Sequence, residues 1–215
     1  TNDTMRKDLK DVVQSVLKIV KPKKKDIIVD VGSNDCTLLN FYEKKFELVG
    51  FEPAQNIRYI NKGKKIKVFN TYFNFKDFKK KYTSKKAKII TSCAMFYDIA
   101  EPKKFIDDID SMLDSNGVWC VQISYLASMI KFNNFYDICH EHLSYYSIET
   151  FEYLIKDYNL KVFYAETNSV NGGSVRIYVC RKNAKIYQKK TFIKKINKIK
   201  NSEKRLNLSK ATTYK

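Results

Sequence analysis

The chain contains two histidines, and both fall in one run, Cys139-His140-Glu141-His142, with Tyr136, Tyr145 and Tyr146 close by. Random placement would seldom pair the two imidazoles of 215 residues. An imidazole changes charge near neutral pH, so a held one can remove a proton and leave a nucleophile behind. Glu141 can orient a ring or accept from a ligand hydroxyl. Two other readings stay open. His-x-His in extended backbone puts both rings on one face, as a metal site would, but Cys139 and Glu141 stand at no specific ligand spacing, so no metal is expected. The pair could also bond to backbone in an ordinary loop.

A second cluster is Asp30-Val-Gly32-Ser33-Asn34-Asp35-Cys36, where an apolar run gives way to a polar turn. Ligands of open parallel sheets bind at the carboxyl ends of strands, and Gly32 lets backbone approach one closely. Glu52, in Gly50-Phe-Glu-Pro53, follows Gly32 by about 20 residues, the reach expected of a carboxylate that binds ribose hydroxyls. A dinucleotide pyrophosphate wants glycine where this chain has Asn34 and Thr37, and Asp35 would repel a phosphate. S-adenosylmethionine has no phosphate and carries a sulfonium and an ammonium, so an acidic, polar loop suits it. The expected cofactor contacts are Asp30, Gly32, Ser33, Asn34, Asp35, Glu52 and Pro53, with Asp30 holding the turn or receiving the ammonium. The plainer alternative is a strand–turn–helix with a capping Asp.

The elements that must carry these residues follow from periodicity. Met5 to Val20 has helical apolar spacing, ended by Pro22. Short apolar runs predict strands at 26–31, 46–51, 66–70, 87–92, 118–123, 160–165 and 174–180. Helices are expected at 36–45, 54–60, 75–82, 102–113 and 147–158, the last opened by Ser147 and Thr150 as capping oxygens. Asn116-Gly117 reads as a turn, 125–146 as an aromatic-rich segment, and Asn171-Gly172-Gly173 as a hairpin turn. Strands alternating with helices and a closing hairpin predict an α/β, Rossmann-like fold. Its sheet would be seven-stranded and mostly parallel, with an antiparallel C-terminal strand and helices on both faces. Residues 1–183 form the expected cofactor-binding domain, led by a helix within 1–21. Residues 184–215 are basic and helical, the start of a C-terminal region.

Composition sets bounds. Hydrophobic residues make up 44% and aromatic ones 14%, which is globular. No apolar run is long enough to span a membrane, so no membrane partner is expected. Five scattered Cys without a CxxC argue against a disulfide framework and for a reducing cytoplasm. The net charge of +18 suggests nucleic acid at first. Arg occurs at only five positions, however, and Lys is spread along the whole chain. Lys is a poorer bidentate reader of phosphate and guanine than Arg, so a solvated Lys surface is the better reading.

Gly32-x-Asn34-Asp35, Gly50-Phe-Glu-Pro53, His140-Glu-His-Leu-Ser-Tyr-Tyr146 and Asn171-Gly-Gly-Ser-Val-Arg176 occur in that order. Together they resemble the C-methyltransferases that act on nucleotide-linked 4-keto-deoxysugars, over nearly the whole chain to Arg181. The resemblance implies that a base takes the acidic proton beside the ketone and that the enolate receives a methyl group from S-adenosylmethionine. His142 would be that base, assisted by His140 and Glu141. Tyr145, Tyr146, Gln122, Ser174 and Arg176 would contact the sugar nucleotide. The family's glycine after Asn-Asp is Cys36 here, its Tyr before the first His is Cys139, and Gln122-Ile-Ser-Tyr125 replaces a Glu-containing strand end. The family also carries an N-terminal zinc-binding domain and a further C-terminal domain, and the expectation is that this segment lacks both. Methyl transfer to oxygen, nitrogen or RNA, or cofactor binding without catalysis, are the alternatives. Oligomeric state cannot be read from the chain.

Overall fold

The computed structural model describes residues 2–57 and 65–214. Helix α1, Asp3–Ile19, begins two residues before the periodicity does, because the Asn2 side chain accepts from the Met5 N–H and caps it. It buries Val12, Val13 and Val16. The strands are β1 (Ile27–Val31), β2 (Glu47–Phe51), β3 (Ile66–Phe69), β4 (Ala87–Cys93), β5 (Leu113–Ser124), β6 (Leu160–Asn168) and β7 (Ser174–Arg181). They follow the order β3-β2-β1-β4-β5-β7-β6 in one sheet. β1 pairs in parallel with β2 and β4, β2 with β3, and β6 pairs antiparallel with β7. The expected mostly parallel sheet of seven strands with an antiparallel hairpin is therefore present. The chain runs outward from β1 to β3 and returns to β4, so the direction of winding changes between β1 and β4.

Contacts divide the chain into two compact units. The first holds the residues up to Cys93 together with Lys104–Cys120, and the second holds Ala94–Lys103 and the residues from Val121 onward. In the first unit β1 is buried throughout, which is why it reads as an unbroken apolar run. Helices α2 (Phe75–Lys81) and α3 (Pro102–Met112) form within the expected 75–82 and 102–113, and α3 buries Phe105, Ile106, Ile109 and Met112. The second unit carries α4 (Leu126–Phe132), α5 (Ile148–Ile155) and the basic α6 (Lys190–Arg205).

Several local expectations are overturned. Residues 36–45 form turns and one 3-10 turn, Leu39–Phe41, not a helix. Asn34 (φ 46°) and Cys36 (φ 59°) are left-handed, and a right-handed helix cannot propagate through them. Of the expected helix 54–60, only a 3-10 turn at Gln55–Ile57 forms, and 58–60 lie outside the described residues. Asn116-Gly117 is no turn, since β5 already starts at Leu113. Gly117 belongs there because a Cβ would come within 2.8 Å of the Ala87 carbonyl oxygen. The aromatic segment contains α4, and α5 ends at Ile155, short of Tyr158. Among the described residues no helix is long and apolar enough to cross a membrane.

Candidate functional site

In the first unit the polar loop leaves β1 at Val31 and turns at Gly32 (φ 69°). The N–H groups of Gly32 and Ser33 both donate to the Phe51 carbonyl, at 2.9 and 3.0 Å, tying the loop to the end of β2. Gly50 makes room for this, because a Cβ there would overlap Ser33 Oγ. Asp35 Oδ1 accepts from the Thr37 N–H at 3.0 Å, a local bond that holds the bend in place of a helix. Glu52 is buried and straps the whole turn. Its Oε2 accepts from the Asn34 N–H and its Oε1 from the Ala54 N–H, each at 2.9 Å. Pro53, half-buried between those anchors, keeps the chain bent there.

Asp30 lies opposite Thr91 in the β1–β4 register, and the Thr91 hydroxyl donates to its Oδ1 at 2.6 Å. Burial raises the Asp30 carboxyl from 3.8 to about 7. The Thr91 bond opposes the rise and the Glu52 charge adds to it. The folded carboxyl thus keeps its proton at a pH where the unfolded one has lost it. Stability from this group is full below about pH 4 and is lost as pH rises to about 7, on the order of 4 kcal/mol for a shift of this size. Asp30→Asn, which cannot ionise, is expected to melt higher than the parent at pH 8 and much closer to it at pH 4. Parallel melting curves against pH would contradict this.

In the second unit the histidine run is held by three backbone anchors. Leu143 and Ser144 N–H donate to the Tyr97 carbonyl at 2.9 and 3.1 Å, and His142 N–H to the Cys139 carbonyl at 3.2 Å. The half-buried His142 ring packs on Tyr97, with centroids 4.3 Å apart, and meets the edge of Tyr145 at 6.5 Å. Its Nδ1 lies 2.8 Å from the Asp137 carbonyl oxygen. A carbonyl only accepts, so Nδ1 carries the hydrogen and the neutral ring keeps its lone pair on Nε2. The Tyr145 hydroxyl donates to the same carbonyl at 3.3 Å. Asp98 is coupled to this ring: burial raises its carboxyl, while His142 lowers it and Glu141 raises it.

His140 and Glu141 stand differently. They form a 3.1 Å pair with side chains 92% and 62% exposed, a geometry that contributes little. Among the described residues no three His, Cys, Asp or Glu side chains could hold a metal ion together. Gln122, Ser174 and Arg176 are buried and joined to the β6–β7 hairpin. Arg176 donates to Glu166 at 3.0 Å and to Gln122 at 2.9 Å, and the Ser174 hydroxyl donates to the Val170 carbonyl at 2.9 Å. Tyr145 and Tyr146 instead line a cavity of about 650 Å³ with Leu126, Met129, Phe135 and Leu143. Burial raises the Tyr146 phenol, and Ser144 bonds to it.

The sequence reading missed Tyr97, Asp98 and Asp137. A signal exists: Phe-Tyr-Asp occurs twice, at 96–98 and 135–137, and both triplets form a single 3-10 turn. One supplies the aromatic face under His142, the other the carbonyl that sets its tautomer.

The sheet order, with its antiparallel last pair, and the loop after β1 define the class I methyltransferase fold. The methyltransferase-domain family model matches residues 2–165, and the chain belongs to that family. It is 25% identical over 155 residues to the C-methyltransferase NovU of Streptomyces niveus, an alignment covering 71% of this chain and 37% of the relative. The match therefore spans little more than a third of that protein's length. Among solved structures, an S-adenosylmethionine-dependent methyltransferase from Clostridium acetobutylicum superposes with a TM-score of 0.61 at 13% identity, covering 82% of this chain and 92% of that one. The plantazolicin methyltransferase BpumL in complex with SAH superposes with a TM-score of 0.61 at 12% identity, covering 82% and 84%.

Proposed function

We propose that the chain is an S-adenosylmethionine-dependent C-methyltransferase acting on a nucleotide-linked keto-deoxysugar, with His142 as the base. The observation that carries this reading is the 2.8 Å bond from His142 Nδ1 to the Asp137 carbonyl, which places the neutral ring's lone pair on Nε2 and fixes the ring. Asp30, Asp35 and Glu52 make the loop of the first unit acceptor-rich, and no Lys or Arg falls within 30–37 or 50–54. Such a set fits a ligand that presents hydroxyl and ammonium donors and a positive charge. Ser33, Asn34 and Pro53 complete that loop, and a cation beside Asp30 would draw its carboxyl back toward the ionised form. The cofactor supplies an electrophilic methyl group.

On the acceptor side, Nε2 of His142 takes the proton from the carbon beside the ketone, leaving an enolate as the carbon nucleophile. The imidazolium formed keeps its Nδ1 bond to the Asp137 carbonyl, so the ring does not turn during the transfer. Asp98, already felt by this ring, offsets the new positive charge. The 650 Å³ cavity is walled by Leu143, Ser144 and Tyr145, which directly follow His142 in the chain, and not by His142 itself; it has the volume of a small-molecule pocket and is the proposed seat of the acceptor. The similarity to NovU supports carbon as the methylated atom. The chain in heavy water with a nucleotide-linked 4-keto-deoxysugar is expected to exchange the proton beside the ketone for deuterium before any cofactor is added. Adding S-adenosylmethionine should then yield a product heavier by one methylene, with the new methyl on that carbon. A methyl on oxygen, or no exchange with efficient turnover, would defeat the reading.

A further inference from the structure

Glu203 lies near the end of α6, beyond the residues that the family model matches, and is 2% exposed. A carboxylate is seldom buried without partners, and here the partners are informative. Its Oε1 accepts from the Tyr125 hydroxyl and from the Ile148 N–H, both at 2.7 Å, and its Oε2 from the Glu149 N–H at 3.3 Å. The first turn of α5 can be accounted for completely. Ser147 and Thr150 form a capping box, in which the Ser147 hydroxyl takes the Thr150 N–H and the Thr150 hydroxyl takes the Ser147 N–H. Phe151 N–H reaches the Ser147 carbonyl. The two donors left over, Ile148 and Glu149, are the two that Glu203 takes. A negative charge at a helix N-terminus is also favoured by the helix dipole.

Thr150 of α5 lines the cavity, and Tyr125 directly precedes its wall residue Leu126. Leu126, Tyr146 and Thr150 are three of its walls, and each adjoins a group on this carboxylate or its capping box. The Leu126 N–H donates to the Tyr146 carbonyl at 3.1 Å, joining one wall to the other. Burial raises the Glu203 carboxyl while Ile148, Tyr125 and Glu149 pull it back. Burial and the Glu203 charge hold the Tyr125 phenol far above its ordinary range, so it remains a donor.

We propose that Glu203 is a positioning residue for the acceptor, a carboxylate on the tail helix that fixes the start of α5 and Tyr125 together and so sets the spacing of the cavity walls. This deepens the reading of the cavity as the acceptor seat and rests on it.

The test uses Glu203→Ala and Glu203→Gln in the whole chain, with two readouts. With a nucleotide-linked 4-keto-deoxysugar and saturating S-adenosylmethionine, Glu203→Ala is expected to raise the acceptor KM about tenfold, as loss of charged hydrogen bonds would, with kcat nearly unchanged. Glu203→Gln keeps one acceptor oxygen and should give a smaller rise in KM. The second readout needs no substrate. Native-state amide exchange should quicken at Ile148, Glu149 and, through the linked walls, at Leu126. Unchanged KM with unchanged Leu126 exchange in both variants would overturn the proposal. So would acceptor affinity, kcat and cofactor affinity falling together with melting temperature, the pattern of mere destabilisation. If the alanine variant does not fold, the glutamine variant decides on the same criteria. If the parent chain turns over no keto-sugar nucleotide, the sugar reading fails, and Leu126 exchange alone decides the role of Glu203.

Discussion

His142→Ala is expected to abolish methyl transfer, a fall of about 10²–10⁴-fold in kcat as for loss of a general base, while S-adenosylmethionine binds within a few fold of the parent. The expectation follows from what the ring does in the fold. Its Nδ1 is committed to the Asp137 carbonyl and its face to Tyr97, so the one group left for chemistry is Nε2. His140→Ala offers the internal contrast. That ring is 92% exposed and its recorded partner is the exposed Glu141, so turnover should fall by less than about twofold, the order of a surface pair. Single-turnover transfer of a radiolabelled methyl group separates the two variants from any effect on product release. Equal losses in both would mean that the run acts as a unit and that His142 is not the base. Deuterium wash-in should vanish with His142→Ala, because it reports proton removal without methyl transfer.

The sequence carried the sheet better than it carried the site. Short apolar runs such as Ile27–Val31 mark buried parallel strands wherever they fall, and the capping box at Ser147 and Thr150 is a local pattern with one meaning. What failed depends on backbone conformation that residue type only weakly encodes. Asn34 is a residue type that tolerates the left-handed region, but nothing in Cys36 announces a second left-handed residue, so a helix is the natural expectation after the turn. Seven-residue α4 is too short to show a period, although Leu126, Met129 and Ile130 already share one face. Arg176 illustrates a third kind of limit. Its partner Glu166 lies directly across the β6–β7 ladder, and only the register shows that this cation is occupied at 3.0 Å. Likewise the proton on His142 is placed by a backbone carbonyl, an atom every residue has, so side-chain types alone could not reveal it.

Glu52→Ala is expected to weaken S-adenosylmethionine binding by about 10–100-fold, the range for losing hydrogen bonds to a charged group. Two effects add. A carboxylate that would meet ribose hydroxyls disappears, and so does the strap that holds the Asn34 and Ala54 N–H groups, both of which lose a buried partner. Glu52→Gln separates them. The amide keeps one oxygen for one N–H but turns its NH₂ toward the other, placing two donors face to face. The loop should therefore loosen even though shape is conserved, and the variant should melt below the parent. Removing this charge also relieves Asp30, whose carboxyl Glu52 pushes upward, so the fall in stability with rising pH should be smaller and should end at a lower pH. Calorimetric titration with the cofactor at two pH values reads both effects at once. Cofactor affinity in Glu52→Ala equal to the parent's would remove the loop after β1 from the binding site. The assignment would survive if affinity drops in both variants while the glutamine protein still unfolds cooperatively, since loss of binding then precedes any loss of fold.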